Sequence, residues 1–209
     1  MNASRFSVTA LVLIVIIVSA IGFFFTVAVD NLSHLEAVNA YYPIEGTELS
    51  VRYSTQRPSG LYTGSRAAGT LRLEGDFGYD WGAALEGDSL YLNEYNTTAL
   101  GMMLCDVVRV DTATFEKEVL FRNAVLRGRC ASGELVCLSG FLMPSNYPAT
   151  NSLMKLYAMS SPGLAPDGGD VLYLEPATGE VLYRVRDGGT AEEEFDARYL
   201  LRTLEEVRG

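Results

Sequence analysis

The chain has 209 residues, with 16 basic and 26 acidic side chains and a formal net charge of −10. An acidic surface without a basic cluster argues against binding to nucleic acid or to anionic lipid, because both attract cationic side chains. The hydrophobic share of 48% is too high for a disordered chain and suits a folded domain with its own core.

The first predicted element is a membrane-spanning helix over Phe6–Val29, a stretch without a charged residue. At about 1.5 Å per residue, such a helix can cross a hydrocarbon core about 30 Å thick. The alternative is a cleaved signal peptide, whose apolar region is usually shorter and ends in small residues. Arg5 precedes the stretch and Asp30 follows it, so we expect a signal anchor at 1–30, with a cytoplasmic N-terminus at the cell membrane.

Residues 31–46 are predicted to form a juxtamembrane helix and linker, and 47–209 an extracytoplasmic domain. Short runs of Val, Leu and Tyr alternate there with Gly, Asn, Asp and Pro, which is typical of antiparallel sheets. We therefore expect a mainly β fold with antiparallel sheets, propeller-like or sandwich-like. The predicted strands are Leu49–Ser54, Gly69–Leu73, Ser89–Leu92, Val107–Val110, Val119–Leu126, Leu135–Leu138, Lys155–Met159, Val171–Leu174 and Val181–Val185.

An acidic, aromatic segment over 74–88 contains the candidate calcium ligands and two of the four candidate aromatic residues. Its glycines separate carboxylates that could wrap Ca²⁺, with Glu74, Asp76 and Asp80 as candidate ligands. Two of these carboxylates could instead hydrolyse a glycoside, and the third interpretation is a plain acidic turn. Amphipathic aromatic side chains suit interfaces, so the candidate ligand or partner surface consists of Tyr79, Trp81, Tyr91 and Tyr95.

The three cysteines, Cys105, Cys130 and Cys137, contain no C-x-x-C pair, so no metal site is expected from them. Outside the cytoplasm, Cys130 and Cys137 could form a disulfide if Gly133-Glu134 is the turn of a hairpin between them. The alternative is that all three are small, buried, apolar side chains.

Two segments, 106–122 and 170–184, share a hairpin pattern. In the second, Pro176 sets φ for a turn and Gly179 can adopt the left-handed conformation that closes it. In the first, Phe115 stands at the glycine position and two extra residues follow, so we expect a different loop. Apolar residues on both faces of the second hairpin predict a sheet with a neighbour on each side.

The segment 172–184, LYLEPATGEVLYR, resembles the blade repeat of quinoprotein-like (PQQ-type) β-propellers, in which a strand, a D-x-x-T-G turn and a second strand recur. Glu175 stands at that family's Asp position and Tyr183 at its usual Trp. No set of blades aligns with the family's cofactor residues, so no cofactor is expected. Followed by a helix, the same segment is also similar to the end of a PepSY domain, an extracytoplasmic module associated with restraining peptidases.

The last predicted element is an amphipathic helix over 190–207. Thr190 followed by Glu193 fits a capping box at its start. The apolar stripe either packs on the sheet of the same domain or binds a partner. It consists of Phe195, Tyr199, Leu200, Leu201, Leu204 and Val207.

The common catalytic signatures are missing from the sequence. It contains no G-x-S-x-G or H-E-x-x-H motif, and its single histidine, His34, lies just past the predicted span. We therefore expect no enzyme, but a membrane-anchored extracytoplasmic module for binding, sensing or assembly, with a protein partner in the envelope. The alternatives are a PepSY-like regulator of a membrane or secreted peptidase and a glycan-acting enzyme.

Overall fold

The computed structural model describes residues 41–53, 58–64, 69–78, 82–97, 103–140, 169–187, 190 and 192–209, together with Ser19. Apart from Ser19, the predicted span Phe6–Val29 lies outside the described residues, as do residues 31–40 and the predicted strand Lys155–Met159. None of the helices formed by the described residues is long and apolar enough to cross a membrane.

The described residues form three sheets that follow one another along the chain, and every strand pair in them is antiparallel. The predicted mainly β, antiparallel fold is thus confirmed. Sheet A consists of β1 (Tyr41–Pro43), β2 (Leu49–Arg52), β3 (Gly60–Thr63) and β4 (Thr70–Glu74) in that order. Sheet B has the order β5-β7-β8-β9, with β6 also paired to β7: β5 (Phe77–Gly78), β6 (Ala84–Glu86), β7 (Ser89–Thr97), β8 (Met103–Asp111) and β9 (Lys117–Phe121). Sheet C consists of β10 (Ala124–Arg129), β11 (Leu135–Ser139), β12 (Asp170–Leu174) and β13 (Val181–Arg186) in that order.

The three sheets stack in chain order. Because successive side chains of a strand point to opposite faces of its sheet, one strand can pack against two neighbouring layers. In β7, Leu90 and Leu92 belong to the apolar cluster shared with sheet A, whereas Tyr91 between them belongs to the cluster shared with sheet C. Sheet B is therefore the middle layer. A third cluster joins the other face of sheet C, through Val136 and Tyr173, to the C-terminal helical segment.

A buried asparagine also joins sheets B and C. Asn93 in β7 donates from Nδ2 to the carbonyl oxygen of Leu126 at 3.0 Å and accepts from the Leu126 amide at 2.7 Å. Leu126 borders a bulge in β10, where Arg127 is the extra residue between the pairs Leu126–Cys137 and Gly128–Val136. The Asn93 side chain thus supplies a hydrogen-bond partner for both the amide and the carbonyl of Leu126, which the edge strand β10 turns toward sheet B.

The predicted helix over 190–207 is divided into three pieces: α1 (Glu192–Phe195), a π-helical turn (Asp196–Leu200) and α2 (Leu204–Arg208). The predicted capping box at Thr190 is wrong, because Thr190 bonds to the carboxylate of Asp187 through its hydroxyl and its amide. The capping box that does form begins α2, between Thr203 and Glu206.

Packing of the apolar stripe on the sheet of the same domain is confirmed. Phe195, Tyr199 and Leu204 are buried in the cluster with sheet C. Leu201 does not belong to the packed stripe, since it lies in the break between the helical pieces and is 75% exposed.

Two strand predictions need correction. The single strand predicted over Val119–Leu126 is two strands, β9 and β10, separated by a turn in which Asn123 has a left-handed φ of 52° and its amide bonds to Asp106 Oδ1. The strands β1, β3, β5 and β6 have no counterpart among the predicted strands. For β1 and β3 the reason is that Pro43 and the Pro58-Ser59-Gly60 run have the composition of turns. Both strands form because each has a partner in sheet A.

Candidate functional site

The tight turns after β8 and β12 have the same hydrogen-bond pattern. In the first, the amide of Asp111 donates to Glu116 O and the amide of Phe115 donates to Asp111 O. In the second, Glu175 bonds to Glu180 in the same way, and Gly179 to Glu175. Phe115 and Gly179 both have left-handed φ values, 62° and 76°. The prediction that the two loops differ is therefore wrong.

The first turn is stabilised by its own acidic residue. Asp111 Oδ1 accepts hydrogen bonds from the amides of Thr114 at 2.7 Å and Ala113 at 2.9 Å, and these bonds lower the pKa of the Asp111 carboxyl below its ordinary value. A left-handed conformation costs about 1–2 kcal/mol for a residue with a Cβ, so Phe115 adopts it against its own preference. The surrounding contacts must offset this cost.

Those contacts come from sheet A. The Phe115 ring packs against the apolar cluster between sheets A and B, and the guanidinium of Arg72 lies over the ring at 4.4 Å from its centroid. Arg72 is itself irregular: it is the extra residue of a bulge in β4, between Leu71, which pairs with Tyr62, and Leu73, which pairs with Leu61. Bulges redirect side chains and are frequent beside functional sites. The left-handed residue Phe115 and the bulge residue Arg72 thus meet in one cation–π contact.

This contact borders an open groove between the ends of sheets A and B, which we name the A–B groove. It has a volume of about 430 Å³ and is lined by the β1–β2 turn, by the β6–β7 turn and by the turn that contains Phe115. Its polar lining combines one cation, two carboxylates and three hydroxyl groups: Arg72, Glu48, Asp88, Thr47, Thr63 and Thr112.

The corresponding position between sheets B and C is closed. Tyr91 Oη donates to Pro176 O at 2.6 Å, and Arg109 Nη1 donates to Thr178 O at 2.7 Å, so the β12–β13 turn sits directly on sheet B. A Cβ placed on Gly179 would lie 3.2 Å from Leu120 Cδ1, which leaves little room for a side chain. Gly179 therefore lets its turn seat closely on sheet B, whereas in the first turn the ring of Phe115 occupies the equivalent position, beside Arg72.

No protein-family model, curated protein or solved structure matches this chain. The function of the A–B groove is therefore inferred from its geometry. The sequence pattern identified Phe115 as the residue at the glycine position but did not identify Arg72, because the bulge in β4 depends on pairing with β3 and has no local signature.

The predicted aromatic surface is not assembled as expected. Tyr91 is fully buried between sheets B and C, so its assignment to a ligand or partner surface is wrong. The half-buried ring of Tyr95 packs over Gly78, where a Cβ would lie 2.5 Å from ring atoms. Tyr79 and Trp81 lie outside the described residues.

The predicted calcium ligands are only partly described. Glu74 ends β4 with an exposed side chain, and Asp76 follows it, with its carbonyl oxygen bonded to the amide of Tyr95. Asp80 lies outside the described residues. Within the described ranges, no three His, Cys, Asp or Glu side chains are placed to hold a metal ion.

The disulfide considered between Cys130 and Cys137 is not formed, and all three cysteines are free, buried thiols. The two cysteines do not lie opposite each other in the β10–β11 hairpin. Cys137 pairs with Leu126, whereas the amide of Cys130 bonds to Glu134 O. Burial raises the pKa of the Cys137 thiol. Burial also opposes ionisation of Glu134, yet hydrogen bonds from the Cys130 thiol and the Ser132 hydroxyl lower the pKa of that carboxyl overall. The prediction of small buried thiols is confirmed.

Proposed function

We propose that this chain is a non-catalytic binding module whose ligand site is the A–B groove. The observation that carries the proposal is the strained conformation of Phe115, whose ring lies under Arg72 at the edge of an open groove. Strained residues persist where the surrounding structure holds them in place, and they concentrate at ligand sites. Gly179 in the equivalent turn shows that the fold itself does not need a side chain there.

The lining of the groove favours a short peptide as the ligand. A volume of about 430 Å³ falls within the range of about 300–1,000 Å³ that is usual for ligand sites. One face of the Arg72 guanidinium is covered by the Phe115 ring, and Arg72 lines the groove, where a guanidinium suits a carboxylate. Glu48 and Asp88 suit a positively charged amine, and the threonine hydroxyls suit peptide groups.

A membrane anchor and a propeller-like arrangement belong to the same proposal. The uncharged stretch Phe6–Val29 would hold the module on the outer side of the cell membrane. Three successive antiparallel sheets, each docked on the one before, support a propeller-like rather than a sandwich-like interpretation. In that arrangement the C-terminal helices take the place of a next blade.

The binding proposal is tested by thermal-shift screening of full-length protein in mild detergent against a library of short peptides. Peptides that stabilise the wild type are then titrated against R72Q and F115G, with R122Q as the matched control, because Arg122 is exposed in the β9–β10 turn away from the groove. We expect at least tenfold weaker binding to R72Q and F115G and unchanged binding to R122Q. Equal binding to R72Q and R122Q would exclude the groove as the site.

The anchor is tested separately by washing membranes with alkaline carbonate. We expect the full-length chain to remain in the pellet and its C-terminus to be digested by protease added outside the cell. Release of the full-length chain into the supernatant would contradict the anchor and would leave the groove proposal intact.

A further inference from the structure

The two carboxylates of the A–B groove stand on neighbouring turns. Glu48 lies in the β1–β2 turn, directly before Leu49, and Asp88 lies in the β6–β7 turn. The β1–β2 turn approaches β6, because a Cβ placed on Gly46 would lie 3.8 Å from Leu85 Cδ2. The groove therefore carries its negative charges on two turns that lie side by side.

The guanidinium of the groove belongs to a strand farther along sheet A. Leu49 of β2 pairs with Thr63 of β3, and Thr63 pairs with Thr70 of β4, the strand that carries Arg72. Neighbouring strands lie about 4.7–4.9 Å apart, so β4 is separated from β2, which follows Glu48, by about 10 Å. The side chains of Glu48 and Arg72 thus start from backbone positions on opposite sides of β3.

None of these three charges is neutralised within the part of the chain that the structure describes. Glu48, Asp88 and Arg72 form no ion pair there, although all three line one groove. By contrast, Glu86 in the same turn as Asp88 pairs with Arg129 at 3.0 Å. The groove therefore presents two unpaired carboxylates and one unpaired guanidinium to a ligand.

Hydrogen bonds fix the backbone of both acidic turns. The Thr47 hydroxyl accepts a hydrogen bond from the Leu49 amide at 3.0 Å, which spans Glu48. The carbonyl oxygen of Asp88 accepts a hydrogen bond from the Thr112 amide at 2.8 Å, which ties the β6–β7 turn to the turn after β8. Charged groups on a fixed backbone need little rearrangement when a ligand binds, and this lowers the cost of binding.

This arrangement complements a molecule with a cation at one end and an anion at the other. An extended chain advances about 3.3–3.6 Å per residue, so two or three residues cover a separation of about 10 Å. A single amino acid carries both charged groups on the same carbon atom and is too short, whereas an internal segment of a protein has no terminal charges.

We infer that the A–B groove binds free dipeptides or tripeptides by both ends, with the peptide carboxylate at Arg72 and the peptide ammonium at Glu48 and Asp88. This inference rests on the proposed function of the groove and names the class of peptide that it takes.

The test compares three forms of one probe: trialanine, N-acetyl-trialanine and trialanine amide. Each is titrated into isotopically labelled full-length protein in mild detergent, and binding is followed by NMR shift changes. We expect saturable binding of free trialanine with a dissociation constant below about 1 mM, and at least tenfold weaker binding of each blocked form. Binding of the free form should weaken with added salt, because the charges of the groove are exposed.

Variants assign each end of the peptide to its partner. In the double variant E48Q/D88N, the dissociation constants of the acetylated and free forms should become equal. E45Q is the matched control and should keep the wild-type ratio, since Glu45 is exposed in the same turn as Glu48 but does not line the groove. In R72Q, the dissociation constants of the amide and free forms should become equal.

Equal binding of all three forms to the wild type, or no saturation by free trialanine at millimolar concentration, would overturn the inference; both results are measured without any variant. The proposed function would survive either result if longer library peptides still bind and R72Q still weakens them. Blocked peptides that bind as tightly as free ones once they contain a lysine would overturn end recognition in favour of a cationic side chain.

Discussion

Replacing Asn93 by alanine should be the most damaging single change between sheets B and C. Asn93 is fully buried, and its two hydrogen bonds satisfy the amide and the carbonyl of Leu126. A buried backbone group left without a partner costs about 1–3 kcal/mol, so N93A should lose about 2–6 kcal/mol of unfolding free energy. For a domain of this size the melting temperature should fall by roughly 10 °C.

The assay is urea unfolding of full-length protein in mild detergent, followed by circular dichroism. N96A is the control, since Asn96 lies on the same strand but is exposed, and its side-chain amide donates to Asp106 Oδ2 at 2.7 Å. A loss from N93A within 1 kcal/mol of the loss from N96A would refute the reasoning. N93D adds a second check, because a protonated carboxyl can reproduce both bonds to Leu126.

Burial of position 93 determines how the stability of N93D changes with pH. A carboxyl at position 93 would have its pKa raised in the folded state, so the folded protein would bind the proton more tightly than the unfolded chain. The deficit of N93D relative to the wild type should therefore be smallest in acid and should grow as the pH rises above about 4. A deficit that does not depend on pH would show that the side chain is hydrated and does not bridge the sheets.

Three further changes test the turns and the C-terminal segment. G179A should lower the unfolding free energy by about 1–3 kcal/mol, since its φ is 76° and the new Cβ would lie 3.2 Å from Leu120; a melting temperature equal to the wild type would contradict the close seating of the β12–β13 turn. D111N should be less stable than the wild type at neutral pH, because the lowered pKa of Asp111 means that its carboxylate stabilises the fold above the ordinary pKa of 3.8. The difference in urea midpoint between D111N and the wild type should narrow as the pH falls below 3.8, and a difference that does not change with pH would contradict this role of the carboxylate. T203A removes the capping box of α2 and should destabilise it by about 1 kcal/mol, seen as faster amide hydrogen exchange in residues 204–208, whereas unchanged exchange would show that packing alone holds α2.

The sequence predicts well those features that depend on near neighbours. The β12–β13 turn follows from Pro176 and Gly179, whose backbone preferences suit it regardless of the rest of the chain. The packing of Phe195 and Tyr199 on the sheet follows from helical spacing, although the helix is divided by a π-helical turn. The helical spacing of the apolar residues still predicts this packing, because the buried side chains of the divided helix all face sheet C.

The sequence predicts poorly those features that depend on distant partners. Phe115 adopts the conformation of a glycine because Arg72 and the cluster between sheets A and B offset the strain, and neither is near it in the sequence. Tyr91 is an amphipathic aromatic residue of the kind found at interfaces, but it is buried in the middle sheet. No local sequence pattern identifies that sheet as the layer with a neighbour on each face. Apolar residues on both faces of the second hairpin predicted a sheet with a neighbour on each side, and sheet C has one on each face, although β13 is its partly exposed edge strand.

The proposal that the A–B groove is a ligand site that needs the side chain of Phe115 is tested most directly by thiol labelling. Thr63 lines the groove and is half-buried, and the three native cysteines are buried, so T63C would supply the reactive thiol of the folded protein. We predict that maleimide labels T63C at least tenfold more slowly when F115G is added, because the turn then seats on sheet A as its counterpart seats on sheet B. Equal or faster labelling of the double variant, with both proteins folded, would contradict the account.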